Sequence, residues 1–265
     1  MRTRKSHQNP KKPPQINIIG LTDIPEIRPG DPLGQLIACA AISQQTPIEN
    51  GDIVIVTQKI VSKAEGKLVD LNTVRPSIRA VKLAAESGRD PRLVELILAE
   101  SRTIVRSDPT RGILITETKH GFICANSGID TSNVPGDDIV ALLPENPDES
   151  ARQIQNALCN FANVETVAVI ITDTFGRPWR EGHINFAIGV ANIDPVKDYR
   201  GTKDSFGNIL KVTNIAVADE LAAASELVMS KTIGVPVAIV RGLPFIPLQS
   251  SIRPLIRSRS TDLFR

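Results

Sequence analysis

The sequence predicts a mixed α+β fold, with buried strands flanked by helices and no dinucleotide-binding sheet. Three observations carry this. Short β-branched apolar runs at 53–56 (IVIV), 167–171 (VAVII) and 234–242 (GVPVAIVRG) read as buried strands. Apolar stripes of helical period occur elsewhere, with Ile154, Leu158 and Phe161 at i, i+4 and i+7. The two kinds of segment do not alternate in the regular βαβ rhythm of a doubly wound sheet.

Residues 1–14 (MRTRKSHQNPKKPP) are basic, rich in proline and free of aliphatics beyond Met1. Such a segment cannot bury enough apolar surface to offset its ordering entropy, so a disordered tail is expected. A first strand is expected at 16–19. Residues 20–31 read as a loop punctuated by Pro25, Pro29 and Gly30. A short amphipathic helix is expected at 33–42, and Gly51-Asp52 turns into the strand 53–56. Thr57, Gln58, Lys59 and Lys63 follow that strand, and Gly66 ends the segment. Two helices are expected at 76–86 and 91–102, the second with Leu93, Val94, Leu96 and Ile97 on its stripe. A short strand at 104–106 precedes a hairpin, 112–116 with 122–125, across Lys119-His120-Gly121. Residues 126–133 (NSGIDTSN) form a cluster of small polar side chains that reads as a loop.

A helix is expected at 149–161, with Pro147-Asp148 as its start signal. The strand 167–171 then turns polar at Thr172-Asp173-Thr174. A Gly-rich loop is expected through Gly176, Arg177, Arg180, Gly182 and His183, ending in a second apolar patch at 186–190. A turn is expected at 203–207. The helix 217–231 carries Asp219 and Glu220 in its first turn, where the macrodipole favours acids. After the strand 234–242, residues 246–265 form a tail rich in Arg and Ser. There is no repeat and no clean linker, so residues 15–245 read as one domain.

Aromatic residues are 3% of the chain, fewer than stacking on single-stranded nucleic acid wants. The net charge of +2 gives no field that favours nucleic acid. Cys39, Cys124 and Cys159 fit neither a zinc pattern nor a disulfide framework, which favours a reducing compartment. His7, His120 and His183 are too scattered for an imidazole cage. Any metal is therefore expected on oxygen ligands, as Mg²⁺ or Mn²⁺. No apolar run is long enough to cross a bilayer, and the N-terminus lacks the apolar core of a signal peptide. A cytoplasmic protein without nucleic-acid or membrane partners is the expectation.

Chemistry is expected in the loop after 167–171, since scaffolded strand ends commonly carry it. Asp173 there could cap a helix, but Gly176 and Pro178 do not continue one. With Asp130 it makes a carboxylate pair able to hold Mg²⁺ against phosphates. Asn133 could contact a nucleotide hydroxyl. Arg177 and Arg180 suit a phosphate or a carboxylate. Lys59 and Lys63 suit phosphate as point charges, although each alone reads as a surface lysine. The glycines of a Walker loop are missing. Glu181 reads as a solvated charge, Asp219 and Glu220 as helix-start acids, His183 as polar surface, and Cys124 as buried and inert. The residues by themselves suggest phosphoryl chemistry without naming a substrate.

Five motifs in order, VTQKIVSKAEGK (56–67), ANSGIDTSNVPG (125–136), VIITDTFGRPWREGHINFAIGVA (169–191), VADELAAASELVMSK (217–231) and GVPVAIVRGL (234–243), resemble the coenzyme F420-0:γ-glutamyl ligase family. The resemblance runs from about 20 to 242. It implies a GTP-dependent ligase that joins L-glutamate to the lactyl carboxylate of F420-0 and then adds a γ-linked glutamate. The carboxylate would be activated as an acyl phosphate, with GDP as product. It further implies Mg²⁺ or Mn²⁺, a monovalent cation such as K⁺, and an intertwined homodimer with its active site between subunits, which the apolar patch 186–190 would suit. Asp130 and Asp173 match the family's metal-binding aspartates, and Thr174 a position near a second metal. Asn133, Gln58, Lys59, Lys63 and the segment Ile24, Pro25, Glu26, Ile27 match contacts to GTP. The loop Ser230, Lys231, Thr232, Ile233, Gly234, Val235 matches one that closes over nucleotide and metal. Lys231 departs from the pattern, standing where some members have an acidic ligand, and the turn at 20–23 is slightly longer than the usual one. Some members carry a fused nitroreductase-like domain, and none is expected here. The resemblance favours a ligase over a metal-dependent phosphohydrolase using the same aspartates, and over a non-catalytic nucleotide-binding module.

Overall fold

The computed structural model describes residues 13–264. The expected basic tail, apart from Pro13 and Pro14, lies outside the described residues. In chain order the elements are β1 (Asn17–Leu21), α1 (Leu33–Ser43), β2 (Asp52–Thr57), α2 (Gln58–Ala64), β3 (Leu68–Asp70), α3 (Ile78–Ser87), α4 (Pro91–Ala99), β4 (Ser101–Asp108), β5 (Ile113–Thr118), β6 (Ile123–Ala125) and β7 (Ile139–Ala141). There follow α5 (Pro147–Ala162), β8 (Val167–Arg177), β9 (Arg180–Ala191), β10 (Lys197–Asp198), β11 (Asn214–Ile215), α6 (Val217–Met229) and β12 (Val237–Arg241). The α+β expectation holds.

A mixed sheet ordered β1-β12-β2-β8-β9 forms the centre. Its one parallel pair is β2 with β8, Asp52 opposite Val167 through Thr57 opposite Thr172. The other neighbours are antiparallel. Strands buried on both faces need continuous apolar runs rather than alternation. Val54, Ile55, Val56 and Val169, Ile170, Ile171 meet that need, and all are fully buried. A second sheet, β4-β5-β6, packs with α3 and α4 around a smaller core of Ala80, Ala84, Val94, Ile97 and Leu114.

The structure corrects one expectation and defines two further segments. First, the segment after Ile171 is not a loop. β8 continues to Arg177, turns at Pro178-Trp179 and returns as β9. Pro178 suits the first position of this turn, and Trp179 takes the positive φ (65°) of the second. The ladder continues because each arm supplies the other's backbone partners. Second, the patch at 186–190 is not a free surface. Ala187, Ile188 and Val190 are buried in this chain's own core, where α5 and α6 pack on β9. Third, the residues after β2 form helix α2 directly, with Ile60 and Val61 buried beneath it. β3 and β7, three residues each, were not anticipated.

Pro147 opens α5 as expected, but the cap is Asn146, whose side chain accepts the Glu149 N–H at 3.2 Å. Asp148 instead accepts from the backbone of Val190 (2.9 Å) and Ile252 (3.0 Å). It thereby ties α5 to β9 and to the C-terminal segment. That segment is also held by Arg259, 2.7 Å from the buried Glu117. No described helix is long and apolar enough to cross a membrane.

α5 approaches β9 so closely that only glycine fits at 189. A Cβ there would lie 2.4 Å from the carbonyl carbon and oxygen of Pro147. Gly189→Ala should therefore destabilise the protein by about 1–3 kcal/mol through overpacking. Calorimetry checks this, and an unchanged Tm would mean that the contact relaxes at no cost.

Candidate active site

The C-terminal ends of β2 and β8 stand side by side, because Thr57 and Thr172 are register partners. Gln58 and Lys59 open α2 from one strand, and Asp173 continues the other. Clefts at the carboxyl ends of parallel strands are common ligand sites. Here three further segments surround the strand ends: residues 24–29 after β1, residues 130–135 after β6, and residues 229–236 after α6. They enclose a cleft of about 1050 Å³.

Asp130 enters through a local backbone bridge. Its N–H donates to Ala141 O at 3.0 Å, and its carbonyl accepts the Ala141 N–H at 2.9 Å. One carboxylate oxygen accepts from the Ser132 backbone (2.7 Å) and hydroxyl (2.8 Å). The other accepts from Lys59 Nζ at 2.5 Å. Lys59 also donates to the Ser132 carbonyl. Burial works to raise the Asp130 carboxyl, but the Lys59 and Ser132 bonds outweigh it and hold the group below its ordinary value. Burial pulls the Lys59 ammonium down, against the pull of Asp130 and Asp173.

Asp173 behaves oppositely. Burial, with the Asp130 charge nearby, raises it to about 7, although the Thr174 N–H (2.8 Å), Lys59 and Lys231 favour its charged form. Two nearby carboxylates with opposed shifts form the kind of arrangement that functional sites maintain. Cys124 is buried, and that burial together with the Asp173 charge pushes its thiol up to about 12, matching the inert reading.

Lys63 reaches across to Glu26 at 2.5 Å, holding the 24–29 rim against α2. The Gln58 amide oxygen accepts from Ser62 at 2.8 Å. Its Nε2, like Thr172 Oγ1, is buried and finds no partner among the described residues. Both residues line the cleft. An unpaired buried polar atom is costly, so these two are poised for a ligand or water. The 130–135 and 229–236 loops meet where Asn133 Nδ2 donates to Lys231 O at 3.5 Å.

Of the residues singled out from sequence, Ile24, Pro25, Glu26, Ile27, Gln58, Lys59, Lys63, Asp130, Asn133, Asp173 and Thr174 line this cleft. So do Ser230, Lys231, Thr232, Gly234 and Val235, while Ile233 is 61% exposed and stands outside the wall. Arg177 and Arg180 are not brought here. They sit at the tip of the β8–β9 hairpin, where Arg177 donates to the carbonyls of Glu181 (2.5 Å) and Gly182 (3.3 Å). Their displacement follows from the strand extension, which carries them beyond the cleft. His183, Glu181 and Arg180 are exposed on the same arm. Asp219 accepts the Ala187 N–H at 2.9 Å, a structural role.

Sequence reading missed Asn185 and Glu226. Asn185 is 2% exposed, yet both it and Glu226 line the cleft. The one available signal was an amide between Ile184 and Phe186 in an apolar strand.

Among the described residues no three His, Cys, Asp or Glu side chains are grouped to hold a metal. The donors are two carboxylates, the Thr174 hydroxyl and the partnerless Thr172 hydroxyl, all hard oxygens. That set fits Mg²⁺ or Mn²⁺, which take few protein carboxylates and fill their shells with water and substrate phosphates.

Fold and site together define an α+β enzyme whose cleft combines oxygen donors with lysine ammonium groups. The model of one family, described as F420-0:Gamma-glutamyl ligase, matches residues 22–242. A coenzyme F420:L-glutamate ligase of Methanothermobacter thermautotrophicus is 44% identical, over 94% of this chain and 99% of its own length. Those of Methanocaldococcus jannaschii (41% identical, 96% and 99% covered) and Methanopyrus kandleri (44%, 91% and 94%) are similar at the same level. The chain belongs to the F420-0:gamma-glutamyl ligase family.

The raised Asp173 carboxyl has a measurable consequence. Between pH 3.8 and about 7 the folded state holds a proton that the unfolded chain has released. Stability from this group therefore falls as pH rises through that window. In metal-free protein Asp173→Asn escapes the penalty. Its stability relative to the parent should be nearly unchanged near pH 4 and greater by on the order of 4 kcal/mol at pH 8. Denaturant melts in chelator at the two pH values check this, and an equal difference at both would contradict the assignment.

Proposed function

We propose that this protein is a GTP-dependent ligase that joins L-glutamate to the lactyl carboxylate of coenzyme F420-0 and then adds a γ-linked glutamate. The observation that carries the proposal is the convergence of Asp130, Asp173, Thr174, Lys59 and Lys63 on one cleft, in a chain of this family.

The chemistry requires such a site. A carboxylate in water does not condense with an amine without a better leaving group. Phosphorylation by GTP supplies one as an acyl phosphate, which the glutamate amine attacks to give the amide, with GDP and phosphate released. Phosphoryl transfer depends mainly on positioning and charge neutralisation. Lys59, Lys63 and Lys231 offer ammonium groups to the phosphates. Asp130, Asp173 and Thr174 would hold a divalent cation, which when bound supplies further neutralisation of phosphate charge. Residues 24–27 and 230–235 would cover the nucleotide and keep water from the acyl phosphate. The buried Gln58 Nε2 gives the floor an unspent donor.

A K⁺ requirement and a homodimer belong to the same proposal by family resemblance, as does a cytoplasmic location.

The test is a mass-spectrometric glutamylation assay with F420-0, L-glutamate and Mg²⁺ or Mn²⁺, comparing GTP with ATP and K⁺ with Na⁺. Products heavier by one and then two glutamyl units, formed with GTP, are expected. Asp130→Asn should lower the rate by at least ~100-fold, consistent with loss of electrostatic stabilisation. Absence of glutamylated product would sink the proposal, and GTP turnover independent of an amine would favour a phosphohydrolase.

A further inference from the structure

Thr174 and Asn185 face each other across the β8–β9 ladder. The Thr174 hydroxyl lies 2.8 Å from Asn185 Oδ1, and Asn185 Nδ2 lies 2.9 Å from Glu226 Oε2 on α6. All three residues line the cleft. The chain of bonds has a fixed direction. A carboxylate only accepts, so it takes the amide N–H. That turns the Asn185 carbonyl toward Thr174. A carbonyl also only accepts, so Thr174 must give its single proton to it. The lone pairs of Thr174 Oγ1 are then left for the cleft. Without Glu226 the amide can flip and donate to Thr174, freeing the hydroxyl proton to point toward the cleft and oppose a cation.

We propose that Glu226, acting through Asn185, orients the Thr174 hydroxyl as an oxygen ligand for a divalent cation. Glu226 and Asn185 are positioning residues of that site. In this arrangement Glu226 Oε2 is engaged by the Asn185 amide N–H, which is how it acts on Thr174. Burial of Asn185 at 2% exposure beside Ile184 and Phe186 supports the reading. A buried amide is tolerated when it is fully paired, and a satisfied polar network specifies one orientation. The inference rests on the ligase reading and deepens it.

The experiment titrates the purified protein with Mn²⁺ and follows the free ion by electron paramagnetic resonance. Glu226→Met, close in size and unable to accept, should weaken Mn²⁺ binding by about tenfold, the scale seen when a partner of a metal ligand is removed. Glu226→Gln still accepts but no longer dictates the amide's direction, and should weaken binding less. Thr174→Val should weaken binding at least as much as Glu226→Met, while Thr174→Ser keeps it. Glu226→Met added to Thr174→Val should cost nothing further, a non-additivity that a merely structural role would not produce. Thermal melts confirm folding, and if Glu226→Met does not fold, Glu226→Gln carries the same cycle. Parent-like binding by Glu226→Met, or a full loss repeated in the Thr174→Val background, would overturn the inference while leaving glutamylation by the parent intact. A parent that neither binds Mn²⁺ nor glutamylates F420-0 would overturn the ligase reading and this inference together.

Discussion

The structure depends on one pairing, the parallel ladder between β2 and β8. Parallel neighbours cannot be joined by a tight turn, and here everything from α2 to α5 lies in the crossover. Such a long closure is offset by burial. Ile53 to Val56 and Val167 to Ile171 are all completely excluded from water, and each large aliphatic among them contributes about 1.5–3 kcal/mol. The register is also the active-site geometry. With Thr57 opposite Thr172, Lys59 and Asp173 emerge at the same edge. A slip of one residue would turn the apolar set over and separate the charges.

The charges gathered there are not at rest. Asp130 is held ionised by Lys59 and Ser132, while Asp173 in the same cleft is pushed toward its neutral form. Lys59 is pulled down by burial even as it serves both acids. A site assembled only for stability would pair each acid with its own base, as Asp52 does with Arg241 at 2.8 Å at the other end of β2. The cleft instead pushes one carboxyl toward its neutral form and leaves one amide N–H and one hydroxyl without a partner among the described residues. A polyanion with its counter-cation would supply what they lack.

What could be read from sequence follows from the range of the forces involved. The runs IVIV and VAVII reveal their burial locally, and so do the stripes of α4 and α5. Asp130 and Asp173 were read as a pair because one is a lone acid in a loop of small polar residues and the other a lone acid at an expected strand end. The extension of β8 was not legible. Thr172 to Arg177 contains glycine and mixed polarity, and only its pairing with β9 makes it a strand. Arg177 and Arg180 were misjudged for the same reason. They are near Asp173 in sequence, but a strand rises by about 3.3 Å per residue, and both stand at the hairpin tip, four positions along β8 from Asp173, with Arg180 opposite Arg177. α2 was hidden because its seven residues are too few to show a helical period. Asn185 and Glu226 were hidden because their meaning lies in partners 11 and 41 residues away.

The hairpin therefore does two jobs that pull apart. Its base is a wall of the cleft, with Asp173 and Thr174 on β8 and Asn185 on β9, the strand on which α6 packs. Its tip projects Trp179, 85% exposed, against Phe264 of the C-terminal segment. Phe175 and Phe186 stack beside that base, rings 5.7 Å apart, and Phe122, just before β6, closes on Phe175. Phe175 follows Thr174 and Phe186 follows Asn185, so the rings pack on the face of the hairpin opposite those two polar side chains. The directional chain from Glu226 through Asn185 to Thr174 is thus set by the fold itself. Orientation settled during folding is orientation that binding does not have to provide, and this is the physical sense in which the cleft is preorganised.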